Sequence, residues 1–235
     1  MAKKVLVTGG SAGIGECIVR SLCALGYDVK FTYYQGKDRA EKIALETGAK
    51  PYYLNLKDDE SIDRCAKEVG NVDILVNNAG VAEIKLFTDV TVSELDNMLG
   101  VDLRGTYLLT QKIVPHMISE KWGRIINISS MWGVSGASCE VSYSSAKAGL
   151  IGFTKALAKE LGLSGITVNC VAPGLIDTRM SDVLSEEDKV AFVDTIPIPR
   201  IGTPDDVANA VEFFIGERSS YVTGQVLCVD GGCVV

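Results

Sequence analysis

Histidine is almost missing from this 235-residue chain. His116 is the only one, which excludes a histidine-built metal cluster. Paired cysteine motifs are missing as well. The seven cysteines stand apart with no C-x-x-C, a pattern of reduced thiols rather than of a disulfide frame or a zinc site. Long apolar runs are absent: Val5 to Val7, following two lysines, is too short for the apolar part of a secretion signal. No stretch reaches the length of a membrane span. Positive charge is in deficit, with 23 basic against 30 acidic residues and a formal net charge of −7. Such a field repels nucleic acid and anionic membrane. These absences predict a cytoplasmic protein with no metal, no nucleic-acid partner and no membrane attachment. A bound anion would need backbone amides or local cations.

What is present is a regular alternation. Hydrophobic residues make up 47% of the chain and charged residues 23%, enough for a sizeable core and too ordered a mixture for a disordered tail. Strands are predicted at Lys4–Thr8, Asp28–Tyr33, Lys50–Asn55, Asp73–Asn77, Arg124–Ser129, Thr167–Ala172 and Val226–Val229. Helical patterns such as Ile14–Leu25 and Ser61–Val69 lie between them. Alternating apolar strands and helices predict an α/β fold, one doubly wound domain over residues 1–235 with helices on both faces of a parallel sheet. Thr203 reads as a helix N-cap, with Pro204 at the first helical position. One long irregular stretch, residues 179–202, is expected to be a lid.

The stretch "TGGSAGIG" at 8–15 follows the first strand and opens a helix. Glycines at 9, 13 and 15 permit a tight turn and close approach of backbone to a pyrophosphate. The helix N-terminus adds free N–H groups and a positive dipole end. The bland alternative is a plain strand-to-helix turn. Residues 9–13 also match the G-x-S-x-G elbow of hydrolases, but that chemistry needs a base, and His116 lies in a predicted helix, out of order for it and expected at the surface.

"YSSAK" at 143–147 sets a phenol and an ammonium one helical turn apart. A free phenol titrates near pH ~10, and a neighbouring ammonium favours its ionised form. An exposed aromatic–lysine pair is the bland alternative. Taken together, "TGGSAGIG", "NNAG" at 77–80, "YSSAK" and "PGLIDT" at 173–178, continuing to "VTGQVLCVDGG" at 222–232, make the chain resemble the short-chain dehydrogenase/reductase family over essentially its whole length. Within that family "KAGLIGFTKALAKELGLSGITVNCVAPG" is most like the β-ketoacyl-acyl-carrier-protein reductases.

The resemblance implies a Rossmann-type sheet of seven strands in the order 3-2-1-4-5-6-7. It assigns catalysis to Ser130, Tyr143 and Lys147, with Ser129 pointing elsewhere. Ser130 would donate to a substrate carbonyl, Tyr143 would supply the proton, and Lys147 would also reach the nicotinamide ribose. It assigns cofactor contacts to Gly9, Ser11, Ala12, Gly13, Ile14 and Gly15, to Asn55 and Leu56, to Asn78, Ala79 and Gly80, and to Pro173, Gly174, Ile176 and Thr178. NADPH is expected over NADH: strand two ends Thr32-Tyr33-Tyr34-Gln35 with no acid to bind a free ribose, and Lys37 and Arg39 follow. Against this, Ala12 stands where NADPH-using relatives often carry a cation. Asp102 departs from the family's usual asparagine. It either acts on the Lys147–Tyr143 pair or turns away to pair locally with Arg104.

The reaction implied is reduction of a β-ketoacyl thioester, linked to acyl carrier protein, in fatty acid synthesis. Lys121 matches one of two basic docking residues expected beside the cleft, whereas the other position holds Ser164. Trp132 and Cys139 are placed at the flanks of the substrate pocket. The alternatives are a reductase of another ketone or secondary alcohol, and a non-catalytic dinucleotide sensor on the same fold. The family also implies a homotetramer.

Overall fold

The computed structural model describes residues 2–234. Seven parallel strands form one sheet in the order β3-β2-β1-β4-β5-β6-β7. They are β1 (Lys4–Val7), β2 (Asp28–Tyr33), β3 (Lys50–Tyr53), β4 (Ile74–Asn77), β5 (Gly123–Ile128), β6 (Ile166–Pro173) and β7 (Val226–Val229). The helices are α1 (Gly13–Ala24), α2 (Lys37–Thr47), α3 (Asp59–Val69), α4 (Val92–Leu99), α5 (Thr106–Glu120), α6 (Met131–Ser135), α7 (Val141–Leu161), α8 (Glu186–Val193) and α9 (Pro204–Ile215). Among the described residues no helix is long and apolar enough to cross a membrane.

Strand alternation sorts the core onto the two faces. Val5 and Val7 of β1, Ile74 and Val76 of β4, and Ile126 of β5 pack with Ile18 and Leu22 of α1 and Val211 and Phe214 of α9. The intervening Leu6, Leu75 and Ile125 face the other way, onto Ile62 of α3, Leu109 and Ile113 of α5 and Leu161 of α7. With both faces covered, β5 and β6 are buried along their whole length. Continuous apolar strands of this kind are what a parallel sheet requires. Strand order reverses between β1 and β4, so a crevice opens beyond their carboxyl ends, the usual ligand site of such sheets.

Two expectations change. Residues 179–202 are not one irregular stretch: they hold a 3-10 turn, Ser181–Val183, and the helix α8. Ser185 caps that helix by accepting from Asp188 N at 3.1 Å. Three acids in the first turn suit the positive end of the dipole. His116 is not free at the surface either. It is largely buried on α5, with Nε2 3.2 Å from Asp73 Oδ1. The predicted start of α9 holds: Thr203 and Asp206 form a capping box, with Pro204 at the first turn.

Candidate active site

The glycine loop closes the β1 end of the crevice. Gly9 has φ +65°, a left-handed value that a side chain would strain. A Cβ on Gly15 would stand 2.3 Å from the Gly9 carbonyl oxygen, so the first turn of α1 lies directly on the loop. Ala12 is the N-cap of α1, and no side chain caps it. The opening N–H groups therefore remain available to an anion, which fits the diphosphate of a dinucleotide. From the β4 side, Asn78 Nδ2 donates to Thr8 O at 2.9 Å, and Asn78 N and Ala79 N both donate to Thr8 Oγ1. Thr178 reaches the loop from the segment after β6: its Cγ2 would lie 3.3 Å from a Cβ on Gly13. Pro173 ends β6, and Gly174 N, next along, donates to Val229 O at 3.0 Å. Ile176 bridges to Gly202.

At the β2–β3 end, Tyr34 is exposed and lies 6.0 Å from the Tyr53 ring. Lys37 is 69% exposed, 3.6 Å from Glu41. Arg39 folds back over the turn, since a Cβ on Gly36 would meet its Nη2 at 2.6 Å. Asn55 accepts from Lys57 N at 3.1 Å and Leu56 is buried. Ser11 is buried in the glycine loop, and Ile14 packs against the α1 side of the core.

The candidate chemical groups gather beyond β5. Ser130 is the N-cap of α6: its Oγ accepts from Trp132 N at 3.2 Å, which leaves its own proton to donate. The Tyr143 phenol lies near that hydroxyl, which acts to lower its pKa. Tyr143 and Lys147 share one face of α7, with Nζ 5.5 Å from the phenol ring centroid. Ser129 does point elsewhere, donating to Lys147 O at 2.9 Å and so tying α7 to the end of β5. Lys147 Nζ donates to Ile128 O at 3.2 Å.

Asp102 joins this group. Its Oδ2 lies 3.0 Å from Lys147 Nζ, although the pair is not aligned as a good hydrogen bond. Its Oδ1 accepts from Val81 N at 2.8 Å. The local pairing with Arg104 does not occur, because Arg104 holds Asp59 at 2.7 Å. Burial raises the Tyr143 pKa above that of a free phenol; Lys147 opposes this, while Asp102 and Glu140 add to it. Burial also pushes the Asp102 carboxyl upward against the pull of Lys147. For Lys147, burial disfavours the ammonium, but Asp102 and Tyr143 outweigh it and the net direction is up.

Lys121 and Ser164 do not flank this site within the subunit. Lys121 lies instead against Gly165, the residue after Ser164, where a Cβ would stand 2.3 Å from Lys121 O, at the amino ends of β5 and β6. The length of β5, roughly 20 Å, separates that corner from Ser130. Trp132 packs edge-on against Phe192 of α8, with centroids 6.3 Å apart. Cys139 sits nearby in a left-handed conformation, φ +62°.

A buried polar ladder behind the site is absent from the sequence reading. Asn77 Nδ2 donates to Thr110 Oγ1 at 3.0 Å and to Asn127 Oδ1 at 2.8 Å, and Asn127 Nδ2 donates to Thr154 Oγ1 at 2.8 Å. It joins β4 and β5 to α5 and α7. Asparagines inside the apolar runs "ILVN" and "RIINI" were the available signal, because a buried amide requires partners.

Comparison with known proteins places this arrangement. Residues 9–234 match the family model described as enoyl-(acyl carrier protein) reductase. The chain is 46% identical, over 98% of its length and 96% of the relative's, to a 3-oxoacyl-acyl-carrier-protein reductase of Aquifex aeolicus. A protein of the same description from Staphylococcus aureus is 39% identical, with 99% and 98% covered. A solved structure described as a short chain dehydrogenase/reductase family protein superposes with a TM-score of 0.93 at 33% identity, covering 99% of this chain and 98% of that one.

Proposed function

Because the chain belongs to the short-chain dehydrogenase/reductase family and is an NAD(P)-dependent oxidoreductase, we propose that it reduces a β-ketoacyl thioester on acyl carrier protein to the β-hydroxyacyl form. The observation that carries this reading is the convergence of two O–H donors, Ser130 and Tyr143, with Lys147 beside them at the mouth of the crevice. Ser130 holds the ketone oxygen, and Tyr143 donates a proton to it as negative charge develops. Lys147 stands beside the phenol and is held in place by Ile128 O. When bound, the reduced nicotinamide supplies the hydride.

NADPH is the cofactor in this reading, supported by the absence of an acid at the end of β2 and by Arg39 folded over the turn that follows. Gly9, Ser11, Ala12, Gly13, Ile14 and Gly15 cradle its diphosphate, with Asn78, Ala79 and Gly80 beside the ribose. Tyr34, Lys37, Asn55 and Leu56 lie toward the adenosine, and Pro173, Gly174, Ile176 and Thr178 toward the nicotinamide. Residues 1–235 form one domain, and the segment 179–202 closes over the substrate as a lid. The protein works in the cytoplasm, in fatty acid synthesis. It assembles as a homotetramer, a reading supported by the exposed Tyr107, 5.2 Å from Phe153, on the face shared by α5 and α7. A monomer mass by light scattering at micromolar concentration would contradict the assembly.

A second reading, reduction of another ketone or secondary alcohol, is favoured by Ser164 and by the position of Lys121 far from Ser130 along β5. The test is Tyr143→Phe assayed with NADPH on an acetoacetyl thioester and on a panel of unrelated ketones. Loss of turnover by a factor of about 10² to 10⁴ is expected for the thioester, with cofactor binding kept. Retention of most of the wild-type kcat would remove the mechanism, and activity confined to the other ketones would select the second reading.

A further inference from the structure

Among the described residues only one acidic side chain is buried, and it lies against a buried lysine: Asp102 is 1% exposed and Lys147 4%. Bringing both from water costs several kcal/mol per ion unless they compensate each other. The backbone is shaped for the contact. Asp102 sits in a π-helical turn, Gly100–Gly105, between α4 and α5, a geometry that turns up mostly at functional sites. Gly105 comes so close to β3's exit that a Cβ there would stand 2.3 Å from Leu56 O. Gly80 backs onto the pair itself, where a Cβ would stand 2.9 Å from Asp102 Oδ2 and 3.1 Å from Lys147 Nζ. Val81 N fixes the other carboxylate oxygen at 2.8 Å.

We propose that Asp102 is a positioning residue that neutralises Lys147, so that Tyr143 keeps its proton to higher pH and the site is biased toward ketone reduction. The proposal rests on the proton-donor reading of Tyr143 given above. Whichever of the two groups holds the shared proton, Asp102 and Lys147 together carry no net charge. Tyr143 then faces a neutral pair instead of a lone ammonium, and its phenolate loses the stabilisation that an opposite charge would supply. Of the other groups facing the pair, only the Ser130 hydroxyl favours the phenolate, and it carries no charge. Glu140, next to the start of α7, disfavours the phenolate further. Cys170 of β6 faces Lys147, and burial pushes its thiol up to about 11, which leaves it uncharged near neutrality. Lys147 has three protons to place. Ile128 O takes one and Asp102 lies against another, which leaves one for a cofactor hydroxyl.

Reduction needs the phenol protonated and falls as pH rises through its pKa; alcohol oxidation needs the phenolate and rises there. Asp102→Asn leaves Lys147 charged and unpaired, so both limbs should move to lower pH by about one unit. The measurement is kcat against pH in each direction for wild type and Asp102→Asn. Coincident limbs would overturn the proposal. Ultraviolet titration of wild type minus Tyr143→Phe reads the same phenol without turnover, and serves where Asp102→Asn does not fold. A transition above that of a free phenol, about 10, is expected, and one below it would overturn the proposal. An active Tyr143→Phe enzyme would instead count against the proton-donor reading, which the titration does not use.

Discussion

Asn78 holds the glycine loop from across the crevice: its Nδ2 donates to Thr8 O at 2.9 Å and reaches Gly9 O at 3.4 Å. The strand-order reversal makes this contact possible, because β1 and β4 are neighbours there while their following loops diverge.

Asn78→Ala should therefore loosen the loop rather than unfold the sheet. Two backbone carbonyls lose a donor, a loss of about 1–3 kcal/mol where water cannot replace it. The dissociation constant for the dinucleotide should rise about tenfold or more, read by nucleotide fluorescence titration. An unchanged constant would mean that the loop holds its shape without Asn78.

Gly15→Ala tests the same loop from the helix side. The added Cβ would meet the Gly9 carbonyl, a backbone atom that cannot rotate away. The loop must shift, at a cost of about 1–3 kcal/mol. A lower Tm together with weaker dinucleotide binding is expected. Wild-type values for both would show that the loop accommodates a methyl group.

The seven strands were legible because parallel strands buried on both faces are written as apolar runs, and predicted boundaries differ from observed ones by at most two residues. The placing of the loop at the start of α1 and of the 143–147 pair on one face of α7 was legible because both depend on residue type at short spacing. Three features were not. Helix α8 lacks an apolar stripe and has no buried residue, so only its Ser185 cap and acids announced it. The choice between the two readings of Asp102 is another, because its contact with Lys147, 45 positions away, depends on a π-helical turn that has no sequence period of its own. The separation of Lys121 from Ser130 follows from strand direction, which residue matching ignores.

Arg39→Glu should discriminate between the two nicotinamide dinucleotides. Arg39 covers the turn after β2, where a ribose 2′-phosphate would lie in this fold. Hydrogen bonds to charged groups contribute about 1.5–3 kcal/mol, so kcat/KM for NADPH should fall roughly ten- to hundredfold. NADH, lacking the phosphate, should change far less. Equal losses with both would place the phosphate elsewhere.

Thiol chemistry should separate the buried cysteines from the rest. Burial pushes Cys65 up to about 12, and Cys17, half-buried and beside Asp205, is also raised to about 12. The thiolate is the reactive form, so neither should react promptly with a disulfide reagent at pH 8. Denaturant should release both together with Cys170. Prompt reaction of all seven in the native protein would contradict their placement.

Phe192 tests the lid. Helix α8 buries no residue of its own, and Phe192 meets Trp132 edge to face at 82°. Trp132 follows Ser130 by two residues on α6, so this contact couples the proposed lid to the wall of the candidate site. Glu140 lies on the same side near Trp132, its carboxyl raised by burial. An edge-on aromatic pair contributes about 0.5–1.5 kcal/mol beyond its buried area. Phe192→Ala should then raise KM for the ketone about three- to tenfold and make residues 179–195 easier to cleave by protease. Dinucleotide affinity should change less, because the glycine loop and Asn78 lie on the other side of the crevice. A variant with unaltered KM and unaltered cleavage would show that α8 is held by something other than this contact, and that the aromatic pair plays no part in closing the site.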